Sequence, residues 1–183
     1  MDKLISKFGN IRVITVMVDK KIGIYAGSFD PITNGHLDII QRASNLFDQL
    51  YVVLMNNTSK NYLFTFAEKK ELVEASLQTL TCDNIQVKVA ADKLVAEVAK
   101  ELGAHFLVRG IRTTADWNYE ISMQQINSLQ ASDLETVYLT AKPEYMFIAS
   151  SMIKEVAKYG GQITDLVPQP VAVALHQKLG KNL

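Results

Sequence analysis

The sequence is 183 residues long, and 48% of its residues are apolar while 21% are charged. This composition is typical of one soluble globular domain that is long enough to bury a core. Lysine plus arginine and aspartate plus glutamate each number 19, so no excess of positive charge indicates a nucleic-acid or membrane partner. The single cysteine, Cys82, excludes a disulfide framework and a cysteine-rich zinc site, and it favours a reducing, cytoplasmic location.

Residues 1–21 differ in character from the rest of the chain. Basic residues followed by VITVMV faintly resemble a signal peptide, but six apolar residues are too few for its core, and no small-residue cleavage site follows. No run reaches the roughly 18 apolar residues that a membrane span needs. Met17 offers an alternative start of the protein. We therefore expect residues 1–21 to be an N-terminal extension and residues 22–183 to form a single domain.

From Ile22 onward, short apolar segments alternate with helical patterns. The apolar segments are mostly β-branched or aromatic, as expected for strands that are buried on both faces. They predict five strands, at residues 22–25, 50–55, 85–89, 106–108 and 136–139.

Six helices are predicted between and after these strands. Leu37, Ile40, Ala43 and Phe47 recur at helical spacing in the first. The second begins at the capping box that starts at Thr65. The third is predicted to start at the cap Asp92 and to stop at Gly103. The last three are predicted at residues 114–129, 151–159 and 171–179.

This alternation, with such short connections, predicts a parallel sheet. We expect an α/β fold with a Rossmann-like, doubly wound sheet of about five parallel strands and helices on both faces. Ligands of such sheets bind beyond the carboxyl ends of the strands, so the loops at those ends contain the candidate site residues.

The loop after the first strand reads GSFDPITNGH. Ser28 offers a hydroxyl at the end of the strand, and His36 lies near the start of the next helix, where free N–H groups favour phosphate. Gly27 and Gly35 would let the backbone approach a bulky ligand. Alternatively, the glycines serve only the turns and His36 is a partly buried cap. The pattern is not the dinucleotide fingerprint G-x-G-x-x-G, so it indicates no redox cofactor.

Basic residues follow two further strands. Lys60 is the only charge in the loop after the second strand, where it could bind phosphate or simply be solvated. Arg109 ends the fourth strand and Arg112 follows three residues later, so the two guanidinium groups could clamp a polyanion. The alternative is that they form ion pairs with Asp116 and Glu120, and both interpretations can hold together.

Two later segments add polar groups. Glu120 and Asn127 are seven residues apart, so they share one face of the fourth helix and could both point into one cleft. Ser150 and Ser151 precede the fifth helix. Hydroxyl groups there are commonly plain caps, but such a helix start can also receive phosphate.

Other kinds of chemistry find little support in the sequence. His105 and His176 lie far from these loops, and no cluster has metal-ligand spacing. Ser28 has no evident histidine and acid partners, which argues against a covalent hydrolase. The strand-end loops share hydrogen-bond donors and cations, so they predict a site that holds phosphates and developing negative charge.

Three segments now point to a family. GSFDPITNGHLDII carries a (T/H)-x-G-H signature, with Thr33 where many relatives have histidine, and RGIRTTADWNYE and SSMIKEVAKYGG follow in order. Together they resemble the bacterial phosphopantetheine adenylyltransferases of the nucleotidyltransferase superfamily. The resemblance runs from about Ile22 to the C-terminus.

This resemblance implies an enzyme of coenzyme A biosynthesis that transfers AMP from ATP to 4′-phosphopantetheine and releases dephospho-CoA and pyrophosphate. It implies Mg²⁺ bound with ATP and held by few protein ligands, CoA as a feedback ligand, and a cytoplasmic homohexamer. We expect no nucleic-acid or membrane partner.

The resemblance also implies roles for individual residues. His36 would stabilise the pentacovalent α-phosphate, and Lys60 and Arg112 would complete the catalytic set. The implied ATP site consists of Ser28, Phe29, His36, Gly110, Ile111, Arg112, Glu120, Tyr145, Met146, Phe147, Ile148, Ala149, Ser150 and Ser151. The implied site for phosphopantetheine consists of Ser28, Lys60, Val95, Arg109 and Asn127.

Two positions depart from the family pattern. Ala149 stands where relatives often have the first of three serines, so that hydroxyl is absent here. Ala26 stands where many relatives have proline, which should affect only the rigidity of the turn.

Three other kinds of protein compete with this interpretation. A related transferase could act on nicotinamide or nicotinate mononucleotide or on an alcohol phosphate, but the nicotinate type usually shows SST-x-I-R where this chain has ASSMIKE. A class I aminoacyl-tRNA synthetase fragment would share the fold, but the chain has no anticodon-binding region. A nucleotide-binding regulator without activity would be expected to have lost His36 or Arg112, and both are present.

Overall fold

The computed structural model describes residues 20–180. Five strands are present in that range, and they form one parallel sheet. The strands are β1 (Ile22–Gly27), β2 (Gln49–Met55), β3 (Ile85–Ala90), β4 (Phe106–Ile111) and β5 (Glu135–Thr140). Their spatial order is β3-β2-β1-β4-β5, which is the order of a Rossmann-like, doubly wound sheet. The predicted fold is therefore confirmed.

Six α-helices flank this sheet within residues 20–180, as predicted. A short 3-10 helix at Pro143–Tyr145, which the sequence did not predict, follows β5. The α-helices are α1 (Asn34–Ser44), α2 (Phe66–Leu77), α3 (Val95–Leu102), α4 (Thr114–Gln130), α5 (Ser150–Lys158) and α6 (Gln169–Leu179).

Local signals placed several of these helix ends correctly. The Thr65 side chain accepts from the Glu68 backbone, and the Glu68 side chain accepts from the Thr65 backbone, so the capping box of α2 is confirmed. Gly103 ends α3 with φ 63°, a left-handed conformation that glycine adopts without a Cβ penalty.

Two local predictions were wrong. The N-cap of α3 is Leu94 rather than Asp92, because the Leu94 amide donates to the Glu97 carboxylate at 3.0 Å and starts the helix two residues later. Phe47 lies beyond α1, which ends at Ser44. It is nevertheless part of the core, since its ring lies 5.4 Å from that of Phe106, centroid to centroid.

Two layers of side chains cover the two faces of the sheet. Successive residues of a strand point to opposite faces, so Tyr25 and Val52 join one core with residues of α1, α2, α5 and α6. Ile24 and Val53 join the other core with residues of α3. All four of these strand residues are at most 7% exposed.

The strand order determines where a ligand can bind. The chain winds outward in opposite directions from β1 and from β4, which are neighbours in the sheet. A crevice forms at such a switch point, beyond the carboxyl ends of the two strands. The loops after β1 and β4, which carry most of the predicted site residues, therefore meet there.

Several expectations concern residues outside the described range. The proposed extension up to residue 19 and the alternative start at Met17 lie there, as do residues 181–183. Within residues 20–180, no helix combines the length and the apolar character needed to cross a membrane.

Candidate active site

A cleft of about 620 Å³ opens at the carboxyl ends of β1 and β4. It brings together most of the residues that the sequence singled out, although they come from four separate segments of the chain. The predicted site residues that line it are Ser28, Phe29, His36, Lys60, Arg109, Gly110, Arg112, Glu120, Tyr145, Ile148, Ala149, Ser150 and Ser151.

Five other predicted residues lie elsewhere. Ile111 and Met146 line a shallow depression that adjoins the cleft through Arg112. Phe147 is 59% exposed and lines neither. Val95, at the start of α3, packs against the second core, and Asn127 is buried on α4. Glu120 and Asn127 lie on one continuous helix and share a face of it, but only Glu120 lines the cleft, because Asn127 is two turns further along α4.

His36 is held so that one particular nitrogen is free to donate. The backbone N–H of Thr33 donates to Nδ1 of His36 at 3.1 Å, which makes His36 part of the capping box of α1. Since Nδ1 accepts this bond, the proton of the neutral ring lies on Nε2. The alternative that His36 is a cap is therefore correct, and it leaves an Nε2–H donor in the cleft.

The charge state of His36 follows from its surroundings. Burial, together with the nearby cations Arg112 and Lys60, lowers the pKa of His36 to about 4, and burial is the largest of these causes. Each of these effects disfavours the imidazolium form. At neutral pH the ring is therefore a neutral hydrogen-bond donor that does not compete with the neighbouring cations for counter-charge.

Phe29 occupies a strained backbone conformation in the loop after β1. Its φ is 44°, in the left-handed region, and such conformations cost a bulky residue about 1–3 kcal/mol. The Phe29 ring is held by edge-on contacts with Tyr25 and His36, at centroid distances of 5.5 and 5.2 Å.

Tyr25 is a neutral group of the cleft. Burial raises the pKa of Tyr25, so its hydroxyl stays protonated beside the arginines.

Both arginines line the cleft and both form the ion pairs that the alternative interpretation predicted, while their role as a clamp for a polyanion stays a prediction. Arg109 Nε lies 3.0 Å from Oε2 of Glu120, and its Nη1 donates to the Ala26 carbonyl at 2.9 Å. Burial raises the pKa of Glu120, while Arg109 acts in the opposite direction. Arg112 Nε donates to Oδ2 of Asp116 at 3.1 Å.

The N-terminus of α5 also faces the cleft. Its N-cap is Ala149, which supplies no side-chain hydrogen bond. Ser150 is not a plain cap either, since its hydroxyl donates to the Pro31 carbonyl at 2.8 Å and ties α5 to the loop after β1. The first backbone N–H groups of α5 are therefore not capped by a side chain and can receive an anion.

Two charged residues of the cleft were missed by the sequence analysis. Asp30 is 3% exposed and lies 2.6 Å from the Lys154 ammonium. Asp30 was visible as the charged residue in GSFDP. Lys154 was visible from helical spacing, because it lies one turn beyond Ser150 in a helix that begins at the cleft.

The carboxylates of the cleft have cationic partners. Each of them forms an ion pair, and no group of three or more potential metal ligands occurs within residues 20–180. The three pairs are Asp30 with Lys154, Asp116 with Arg112, and Glu120 with Arg109.

Comparisons with known proteins show the family of the chain. The cytidylyltransferase-like family model matches residues 24–156. A phosphopantetheine adenylyltransferase from Lactobacillus johnsonii is 51% identical over 85% of this chain and 93% of its own length. Proteins of the same name from Streptococcus pneumoniae and Lacticaseibacillus casei are 48% and 45% identical, over 82% and 88% of this chain and 92% and 95% of their own.

Solved structures share the fold at lower identity. A Plasmodium falciparum nicotinic acid mononucleotide adenylyltransferase complexed with NaAD has a TM-score of 0.66 and 17% identity, over 87% of this chain and 95% of its own. A Francisella tularensis bifunctional NMN adenylyltransferase/ADP ribose pyrophosphatase, complexed with AMP and Mn ion, has a TM-score of 0.65 and 16% identity, over 89% of this chain and 50% of its own. The family match and the relatives mean that the chain belongs to the cytidylyltransferase-like family and, within it, to the phosphopantetheine adenylyltransferases.

Proposed function

We propose that this chain transfers AMP from ATP to 4′-phosphopantetheine, giving dephospho-CoA and pyrophosphate in coenzyme A biosynthesis. The observation that carries the proposal is the set of donors and cations that converge on one cleft at the β1–β4 switch point. The His36 Nε2–H, Lys60, Arg109 and Arg112 line this cleft together with the uncapped start of α5. Such a set binds phosphates but contains no activated nucleophile.

The chemistry needs no nucleophile from the protein. An oxygen of the 4′-phosphate attacks the α-phosphorus of ATP, a new P–O bond forms, and the bond to the pyrophosphate oxygen breaks. The protein aligns the two substrates and stabilises the negative charge of the transition state. His36 is the donor to the α-phosphate, since its Nε2–H is free to donate and the ring lines the cleft together with Lys60 and Arg112.

The two substrates then divide the cleft. Arg112 and the start of α5 hold the triphosphate, and Glu120 accepts from the ribose. Lys60 and Arg109 hold the phosphate of phosphopantetheine. The roles predicted for Val95 and Asn127 along the pantetheine arm remain proposals, supported only by the family resemblance.

We also propose that ATP brings the divalent ion to the site as Mg²⁺. The carboxylates of the cleft are paired with cations, so the ion has few protein ligands available. The ion would neutralise phosphate charge, and phosphate oxygens are ligands that Mg²⁺ prefers.

The remaining proposals concern assembly, regulation and location. Only Asn127 of the 17 residues of α4 is buried, and Tyr119, Ile126 and Leu129 are at least 51% exposed, which supports a homo-oligomer. A hexamer, CoA as a feedback ligand and a cytoplasmic location are proposed from the family resemblance.

The test is pyrophosphate release by the purified protein with Mg-ATP and 4′-phosphopantetheine. Nicotinate mononucleotide in place of phosphopantetheine is the substrate control, and His36→Ala is the variant. Loss of one transition-state donor should lower kcat by roughly 10²–10³-fold. Pyrophosphate release with phosphopantetheine but not with nicotinate mononucleotide would support the substrate. Loss of this release in His36→Ala would support the role of His36. No release by wild-type protein that still binds ATP would refute the proposed reaction and favour a nucleotide-binding regulator.

A further inference from the structure

The loop between β2 and α2 carries Lys60. Hydrogen bonds within this loop fix its conformation but not its position relative to the cleft. We refer to residues 57–64 as the Lys60 loop. The Lys60 amide donates to the Asn57 carbonyl at 2.9 Å, and the Tyr62 hydroxyl donates to the same carbonyl at 3.2 Å. The Ser59 hydroxyl donates to Oδ1 of Asn57. These bonds close the loop on itself, so another contact must fix its position over the cleft.

Asp30 supplies one such contact from the loop after β1. Its Oδ1 accepts from the Phe64 amide at 2.9 Å, and its Oδ2 accepts from the Leu63 amide at 3.0 Å. Asp30 is only 3% exposed, so these charge-assisted bonds are shielded from water. The carboxylate therefore joins the end of the Lys60 loop to the loop that leads to His36.

Lys154 supplies the second contact from α5. Its ammonium donates to Oδ2 of Asp30 at 2.6 Å and to the carbonyl of Asn61 at 3.2 Å. Asn61 is the neighbour of Lys60 in the chain. One ammonium thus connects the helix that begins at the cleft, the buried carboxylate, and the backbone beside Lys60.

A third cation packs against the same loop from the core side. Lys69 is 0% exposed, and its ammonium lies 3.8 Å from the ring centroids of both Tyr62 and Phe66. Burial lowers the pKa of Lys69, Asp30 acts in the opposite direction, and Lys154 acts in the same direction as burial. Asp30 therefore lies between two lysines, and its loss would leave both without their shared counter-charge. Replacing Lys154 is the milder perturbation.

We propose that Asp30 and Lys154 are positioning residues for Lys60, because their ion pair fastens the Lys60 loop to α5 and holds the Lys60 ammonium at the cleft. Neither residue needs to touch the substrates for this role. The catalytic part of the proposal rests on the proposed function, in which Lys60 binds the phosphates.

The decisive experiment is a double-mutant cycle between Lys154 and Lys60, measured as kcat/KM for phosphopantetheine. Lys154→Met should lower kcat/KM by roughly 10- to 100-fold, since small misplacements of a phosphate-binding group are costly. In a Lys60→Met background the same change should cause little further loss. Lys158→Met, on the exposed side of α5, is the matched control and should leave kcat/KM unchanged.

Three outcomes of this cycle would overturn the proposal. An equal loss from Lys154→Met in both backgrounds would mean that Lys154 acts on the substrates directly. An unchanged kcat/KM with a lowered Tm would mean that the pair is only structural. Failure of Lys154→Arg to recover activity, when its Tm equals that of wild type, would argue against a role that any cation at this position can fill.

A second measurement does not depend on activity. Hydrogen exchange of the Leu63 and Phe64 amides should become faster in Lys154→Met, while exchange in β1 and β4 stays as in wild type. Unchanged exchange in the Lys60 loop would refute the tether even if the enzyme is active. Wild-type protein without activity, but with faster loop exchange in Lys154→Met, would refute the proposed function and leave the tether supported.

Discussion

The neutral state of His36 makes a prediction that can be tested directly by lowering the pH. The Thr33 amide donates to Nδ1 of His36, and burial, Arg112 and Lys60 together lower its pKa from 6.5 to about 4. We therefore expect the ring to keep its proton on Nε2 and to stay uncharged from pH 8 down to about pH 5. It should accept a second proton only near pH 4.

The lowered pKa of His36 also predicts how the free energy of unfolding changes with pH. Between pH 6.5 and pH 4 the unfolded chain binds a proton at His36 that the folded chain does not, so folding becomes less favourable as the pH falls. A pKa of about 4 instead of 6.5 corresponds to at most about 3 kcal/mol of unfolding free energy. The full contribution of the neutral ring is present above pH 6.5 and is lost as the pH falls towards 4.

The assay is long-range ¹H–¹⁵N NMR of the imidazole nitrogens, with the His36 signals assigned by their absence in His36→Gln. Denaturant unfolding of both proteins at pH 7 and pH 4.5 measures the stability difference, which should shrink in His36→Gln. Bound ATP should raise the pKa of His36, because phosphate charge opposes the repulsion from Arg112 and Lys60. A ring that titrates near pH 6.5, or that carries its proton on Nδ1, would refute the assignment of His36 as a neutral Nε2–H donor.

Three further changes have expected outcomes. Ala149→Ser supplies the missing N-cap hydroxyl of α5 and should raise stability by about 1 kcal/mol, and an unchanged Tm would mean that the helix start is satisfied in another way. Leu50→Ala removes a fully buried side chain of β2 and should cost about 2–5 kcal/mol in denaturant unfolding, and a loss below 1 kcal/mol would contradict its place in the core. The Lys178 ammonium and the Thr65 amide lower the pKa of Glu68 to about 2, so Glu68→Gln should lower Tm at pH 7 but not at pH 2. Glu74→Gln is the control and should have little effect at either pH, since its exposed ion pair is 3.5 Å long and it lacks the Thr65 amide bond that Glu68 accepts.

Signals that act over a few residues were sufficient for much of the fold. The capping box at Thr65 and the stop at Gly103 depend only on residues within one or two helical turns, and both were predicted correctly. Asp92 looked equally suitable as a cap, but Glu97 pairs with the Leu94 amide and moves the start of α3. Phe47 fits the helical period of α1, yet its contact with Phe106 of β4 draws it into the core beyond the helix. A short sequence pattern cannot decide between two suitable caps or between two positions for an apolar side chain, because it does not show which of the possible contacts forms.

For the candidate site too, some features could be predicted from the sequence and others could not. Ser28, His36, Lys60, Arg109 and Arg112 could be selected from the sequence, because each lies at the carboxyl end of a predicted parallel strand or just after it. That rule says where side chains gather but not which ones pair there. The sequence left the ion pairs of the two arginines open as an alternative, and both pairs are present in the structure.

Sequence by itself determined the order of strands and helices, the parallel sheet and the donors at its edge, because these depend on local periodicity and on the general geometry of parallel sheets. Tertiary structure alone decided that Lys154 reaches back 124 residues to Asp30, and that Glu120 lies at the cleft while Asn127, two turns further along α4, is buried away from it. The physical reason is that a hydrogen bond needs its atoms within about 3 Å. Spacing along the chain does not set such distances between remote segments; the packing of the helices on the sheet does.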